Sequence, residues 1–141
     1  MSDIVIQSLT TLMGGTVLKA AGLVAATAGH TAVTLGHGKF TIQLDWTACE
    51  IASNDELYII TVEANTLAAT STWTKIGDLL TIGATEVVAS SGDGLAAGSV
   101  RASFENTKNY QIRIKTWVSG TVATGINYAA SAFPADALNQ T

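Results

Sequence analysis

The sequence predicts an all-β fold, an antiparallel β-sandwich of the jelly-roll kind carrying an extended N-terminal arm, and three observations predict it. Apolar and polar residues alternate with period two in several separate runs, helical periodicity is nearly absent, and glycine-containing turn clusters recur about every eight to twelve residues. A chain of 141 residues is long enough to bury one core without disulfides or metal. The expected organisation is an arm over 1–28, one sandwich domain over 29–134 and a short C-terminal tail over 135–141.

The first 38 residues carry only Asp3 and Lys19 as charges, with Gly14-Gly15, Gly22, Gly29, Gly36 and Gly38 between short apolar runs. Such a stretch is too apolar for a solvated tail and too interrupted for an amphipathic helix, which leaves an extended arm. The alternative is that residues 16–35 form one or two strands of the main sheets.

From Lys39 onward Phe40, Ile42, Leu44 and Trp46 alternate with Thr41, Gln43, Asp45 and Thr47, a half-buried strand with Trp46 in its core phase. After the turn cluster Ser53-Asn54-Asp55-Glu56, the run Leu57 to Glu63 is β-rich and apolar on both faces, as a central strand requires. Trp73–Leu80, Thr85–Ala89 and Gly98–Phe104 are further short strands, separated by turns at Gly77-Asp78, Gly83 and Ser91–Gly94. Tyr110, Ile112 and Ile114 alternate with Gln111, Arg113 and Lys115, and Ser119-Gly120 suits a reversal. Residues 109–133 therefore read as one hairpin returning through Val122–Ala132. Pro134, the only proline, falls beyond the last strand, where it removes no ladder hydrogen bond.

Composition narrows the function. Charged residues are 13% of the chain, against about 25% usually, so small neutral groups cover much of the surface, which suits a partner-coated protein. The net charge is −4 and the basic residues are scattered, which gives no electrostatic footprint for nucleic acid. No signal peptide and no membrane-spanning run is recognisable, so the chain reads as soluble and unexported. Cys49 is the only cysteine and reads as a buried structural thiol.

No motif of known chemistry emerges. Asp55-Glu56 is the only adjacent carboxylate pair, and neighbours on a turn start a strand and keep a loop solvated, with Asp55 capping the turn backbone, rather than flank a cleft. His30 and His37 have no metal-ligand spacing and read as hydrogen-bonding groups, and two histidines seven residues apart argue against a cupin-type enzyme. Ser91-Gly92-Asp93-Gly94 lacks the further oxygen donors a calcium site needs. Trp117 breaks the alternation set by Tyr110, Ile112 and Ile114 and is expected to face outward near the hairpin tip, a placement that suits an interface.

The order of Asp55-Glu56-Leu57-Tyr58, Glu63-Ala64-Asn65, Phe104-Glu105-Asn106 and Gly120-Thr121-Val122-Ala123-Thr124-Gly125-Ile126-Asn127-Tyr128 resembles the capsid cement, or decoration, proteins of tailed bacteriophages, of the Bordetella phage type. The resemblance covers roughly residues 30–133, with GTVATGINYAA its most specific piece. The chain departs from the family at Lys108-Asn109-Tyr110-Gln111, where members carry more Arg and Tyr. The resemblance implies a jelly-roll protein on the outer surface of the virion head, made in the host bacterial cytoplasm and stapling neighbouring major capsid protein subunits, often as a homodimer. It implies no catalysis and no cofactor. The expected contact residues are Ile4, Ile6, Leu9, Leu12, Val17, Leu18 and Leu23 of the arm, together with Trp117. A tail-fibre or receptor-binding module that binds surface glycan through Trp73 or Trp117 is the alternative reading.

Overall fold

A computed structural model describes residues 16–53, 55–83 and 97–134. Its strands are β1 (Thr16–Lys19), β2 (Leu23–Val24), β3 (Ala28–Gly29), β4 (Val33–Thr34), β5 (Gly38–Cys49), β6 (Leu57–Thr66), β7 (Ala69–Gly83), β8 (Gly98–Asn106), β9 (Gln111–Ser119) and β10 (Ile126–Pro134). Every pairing is antiparallel. One sheet has the order β1-β10-β5-β8, with β2 also on β10, and the other has β3-β9-β6-β7, with β4 also on β9.

This is the jelly-roll arrangement. The chain pairs from its middle outward: β6 with β7, β5 with β8, β3 and β4 with β9, and β1 and β2 with β10. Rolling that long hairpin adds the β5–β10 and β6–β9 ladders and closes two sheets face to face. The core lies between them. Ile42 and Leu44 of β5 and Ile126, Tyr128, Ala130 and Ala132 of β10 meet Tyr58, Ile60 and Val62 of β6 and Ile112 and Ile114 of β9. Each fully buried Ile or Leu contributes about 1.5–3 kcal/mol, and the period-two pattern is what directs these side chains inward. Trp46 packs half-buried against this core.

Four expectations are corrected. The 109–133 stretch is not a hairpin, because β9 and β10 belong to opposite sheets and residues 120–125 cross between them. Residues 16–28 are not a free arm: β1 and β2 pair with β10, and the boundary at residue 28 runs through β3. Gly77-Asp78 is no turn, since β7 continues through it with Ile76 and Leu79 as extra residues on either side, and such bulges bend a strand without ending it. Pro134 is the last residue of β10, opposite Phe40, rather than beyond the strand. The expected Thr85–Ala89 strand, the Ser91–Gly94 loop and the 135–141 tail lie outside the described residues.

Candidate functional site

Three features stand out from the sandwich: the loop end where β9 crosses to β10, the edge formed by β1 to β4, and the outer face of β6, β7 and β9.

At the loop end the carboxylates work as backbone acceptors. Glu50 Oε2 accepts from the amides of Ala123 (2.9 Å), Thr124 (2.6 Å) and Gly125 (2.8 Å) and from the Thr124 hydroxyl (3.1 Å). Asp55 accepts from the Thr121 amide and hydroxyl, both at 2.9 Å. Glu56 is buried and caps its own loop, accepting from Ser53 N at 2.7 Å and Asp55 N at 3.1 Å. Sequence reasoning gave turn capping to Asp55; Glu56 does it, while Asp55 reaches across to the crossing loop. These bonds favour the ionised form, and they hold the Glu50 and Asp55 carboxyls below the usual carboxylate range.

The same loop requires glycine at two places. Gly120 (φ +93°) and Gly125 (φ +83°) lie in the left-handed region, and a Cβ there would fall 2.2 Å from Asp55 O and 2.1 Å from Val24 O. Cys49, next to Glu50, is 1% exposed, and burial followed by the neighbouring carboxylates pushes its thiol up to about 12. It is the buried structural thiol the sequence predicts.

Two asparagines, which the sequence reading named in the resemblance motifs without giving them a structural role, secure the opposite end. Asn65 donates to Thr70 O (2.8 Å) and Gln111 Oε1 (3.0 Å) and accepts from Gln111 N (3.0 Å). Asn106 donates to Gly36 O and to Asn109 O and accepts from Asn109 N. The available signal is an Asn inside a strand run, a position where an amide seldom sits without a backbone partner.

At the β1–β4 edge a groove of about 600 Å³ opens among Leu18, Leu23, Val24, Ala28 and His30. Val17 (61%) and Leu23 (60%) present apolar surface to solvent. Leu18, predicted as a contact residue beside them, is 3% exposed and belongs to the core, because β1 alternates on β10 and sends Leu18 inward. The other predicted contacts, Ile4, Ile6, Leu9 and Leu12, lie outside the described residues. His30 is half-buried, with Nε2 2.9 Å from the Tyr128 hydroxyl.

On the outer face, Trp117 is 42% exposed and continues the outward phase of Arg113 and Lys115 along β9. Its Nε1 donates to Thr61 Oγ1 (3.2 Å), and Lys115 Nζ sits 4.0 Å from its ring centroid. Arg113 stacks 4.3 Å from the Trp73 ring and pairs with Glu63 at 2.8 Å. Cation and ring alternate along this face, each contact being worth about 0.5–1 kcal/mol where water reaches it. The fold thus separates the predicted contacts, with Val17 and Leu23 on a sheet edge and Trp117 on a face. Among the described residues no group of three or more His, Cys, Asp and Glu is placed to hold a metal ion.

No protein-family model matches the sequence, and no curated protein matches it. Among solved structures, the chain is similar to one from the structure of infectious bursal disease virus Gt strain, at 9% identity and a TM-score of 0.38, covering 82% of this chain and 29% of that one. It is also similar to a chain from the Gx strain of that virus, at 13% identity and a TM-score of 0.36, covering 84% of this chain and 30% of that one. The chain spans less than a third of the length of either.

Proposed function

We propose that this chain is a virion structural protein that decorates the outside of a tailed-phage capsid and cements contacts between major capsid protein subunits. The observation that carries the reading is where the resemblance motifs fall. Asp55, Glu56, Tyr58, Asn65, Asn106, Thr121, Gly125 and Tyr128 are among the groups that tie loops and sheets together. Tyr58, for example, donates its hydroxyl to Glu50 O at 2.7 Å. The resemblance therefore rests on the residues that determine the sandwich, and the decoration role is the function proposed for it.

The surface suits this role. A sandwich with few charges, exposing Val17 and Leu23 on one edge and Trp117 on one face, offers modest apolar contacts. Repeated over many copies on a lattice, modest contacts sum by avidity to resist outward pressure. The segment bearing Ile4, Ile6, Leu9 and Leu12 is assigned the same contact role, and self-association as a dimer would double the contacts per particle. The glycan-binding alternative is weaker, because the Trp73 and Trp117 rings already stack against Arg113 and Lys115, leaving less free π-face for a sugar.

The test is co-sedimentation of the purified chain with expanded, undecorated heads of the cognate phage. Saturable binding by the full chain supports cementing. Weaker binding by Val17→Ser, Leu23→Ser or Trp117→Ala, with unchanged folding, assigns the contact surfaces. Absence of binding by the native chain overturns the reading, and retention on a glycan array would then favour the alternative.

A further inference from the structure

We propose that His30 is a proton-sensitive latch: protonating its imidazole breaks a one-way hydroxyl relay between the two sheets and releases the edge flap of residues 16–35.

The relay has three members. The Tyr128 hydroxyl of β10 lies 2.5 Å from Thr116 Oγ1 of β9 and 2.9 Å from His30 Nε2, and Thr116 Oγ1 lies 3.4 Å from the same nitrogen. Thr116 and Tyr128 are completely buried. With the proton on Nδ1, the two hydroxyls and Nε2 pair in one direction: Thr116 donates to Tyr128, and Tyr128 donates to Nε2. A second proton turns Nε2 into a donor. Tyr128 must then accept from it and rotate its own hydrogen toward Thr116. The Thr116 hydrogen then has no side-chain acceptor within the relay, because Thr116 and Tyr128 cannot each donate to the other. An orphaned hydroxyl in a closed site is destabilising.

The charge has no counter-ion either. Lys19 of β1 faces His30, Tyr128 is the only ionisable group on β10, and β9 supplies Thr116, its Arg113 and Lys115 lying on the opposite face. Neither 16–37 nor 109–134 contains an Asp or Glu, so no element packed around His30 carries an anion. Burial, with Lys19 second, accordingly lowers the affinity of His30 for a proton. The folded-state value lies below the unfolded one, so the relay's contribution is complete above about pH 6.5 and is lost as pH falls through the folded value.

The flap is the element poised to respond. Its four strands are two to four residues long, and its other side-chain ties are few, such as Thr27 to Val118 and the Gly22 amide to Asn127 Oδ1. Opening it lifts Leu18 and Val24 out of the core and frees the edges of β10 and β9.

Hydrogen exchange on the full chain between pH 8 and pH 5, corrected for intrinsic exchange, tests this. Amides of Leu18–His30 should lose protection by about tenfold or more while those of β5 and β6 hold. His30→Gln should abolish that pH dependence and His37→Gln should keep it. Flap protection that does not change with pH, or the same dependence in His30→Gln, overturns the proposal. If His30→Gln does not fold, imidazole titration of the native chain decides. Flap opening must follow a His30 midpoint below the ordinary imidazole value of about 6.5, and a midpoint at or above that value overturns it.

Discussion

The crossing loop of residues 120–125 and the flap of residues 16–35 both tie one sheet to the other, and they use opposite chemistry. The loop is held by ionised carboxylates, Glu50 and Asp55, each accepting from two or more donors. The flap is held by neutral hydroxyls and one imidazole, in surroundings without an acid. Charge-assisted caps on a solvent-facing loop stay ionised throughout the neutral range, whereas a neutral relay at a half-buried histidine is vulnerable as the pH falls below the ordinary imidazole value. The difference teaches that one sandwich can hold a rigid end and a conditional edge, set by where acids are placed along the chain.

The largest expected effect is steric. Gly125→Ala or Gly120→Ala drives a Cβ into a carbonyl oxygen at a left-handed φ, which should remove about 3 kcal/mol or more in urea unfolding. Gly36→Ala has the same sign of φ with open space around it and should cost only about 1 kcal/mol. Equal losses at Gly36 and Gly125 would mean that the close approach of the loop to Val24 is unimportant.

Tyr128→Phe comes next. Removing the middle hydroxyl of the relay leaves Thr116 only the 3.4 Å reach to His30, and the expected loss is about 1–2 kcal/mol. A loss at the flap that leaves the loop amides protected would sharpen the contrast between the two regions.

For the loop, Glu50→Gln reads the acid limb. Glu50 has its proton affinity lowered by folding, so its contribution is present above the unfolded carboxylate value of about 4.3 and is lost as pH falls through the lower folded value. The native chain's urea midpoint should therefore decline below about pH 4.5, and the variant's should decline less steeply. Parallel curves would remove the carboxylate from its assigned role. The smallest effect is at Cys49, whose thiol should resist iodoacetamide at pH 8 until the chain is unfolded.

The regions differ in legibility as they do in chemistry. β5 and β9 were readable because apolar and polar residues alternate along them, and β6 because its run is β-rich and apolar on both faces. The flap was legible only as the alternative of one or two sheet strands over 16–35, since a two-residue strand has no period to read. The hairpin expected over 109–133 failed because alternation marks a strand without naming its sheet, and in a jelly roll consecutive strands at this point belong to different sheets. β7 was broken at Gly77-Asp78 because a bulge and a turn share the same residue types. Of the candidate contacts, Trp117 followed from its outward phase, but Leu18 could not be told from Val17 in an apolar run without the β10 register. The Glu50 cap joins residues 75 apart in sequence and leaves no local mark.

The most direct test of the cementing role is DNA release from filled, undecorated heads on heating, with and without saturating protein. A cement protein raises the release temperature in proportion to the copies bound, and the Trp117→Ala chain raises it less. Binding that leaves the release temperature unchanged, or no binding at all, would contradict the cementing role.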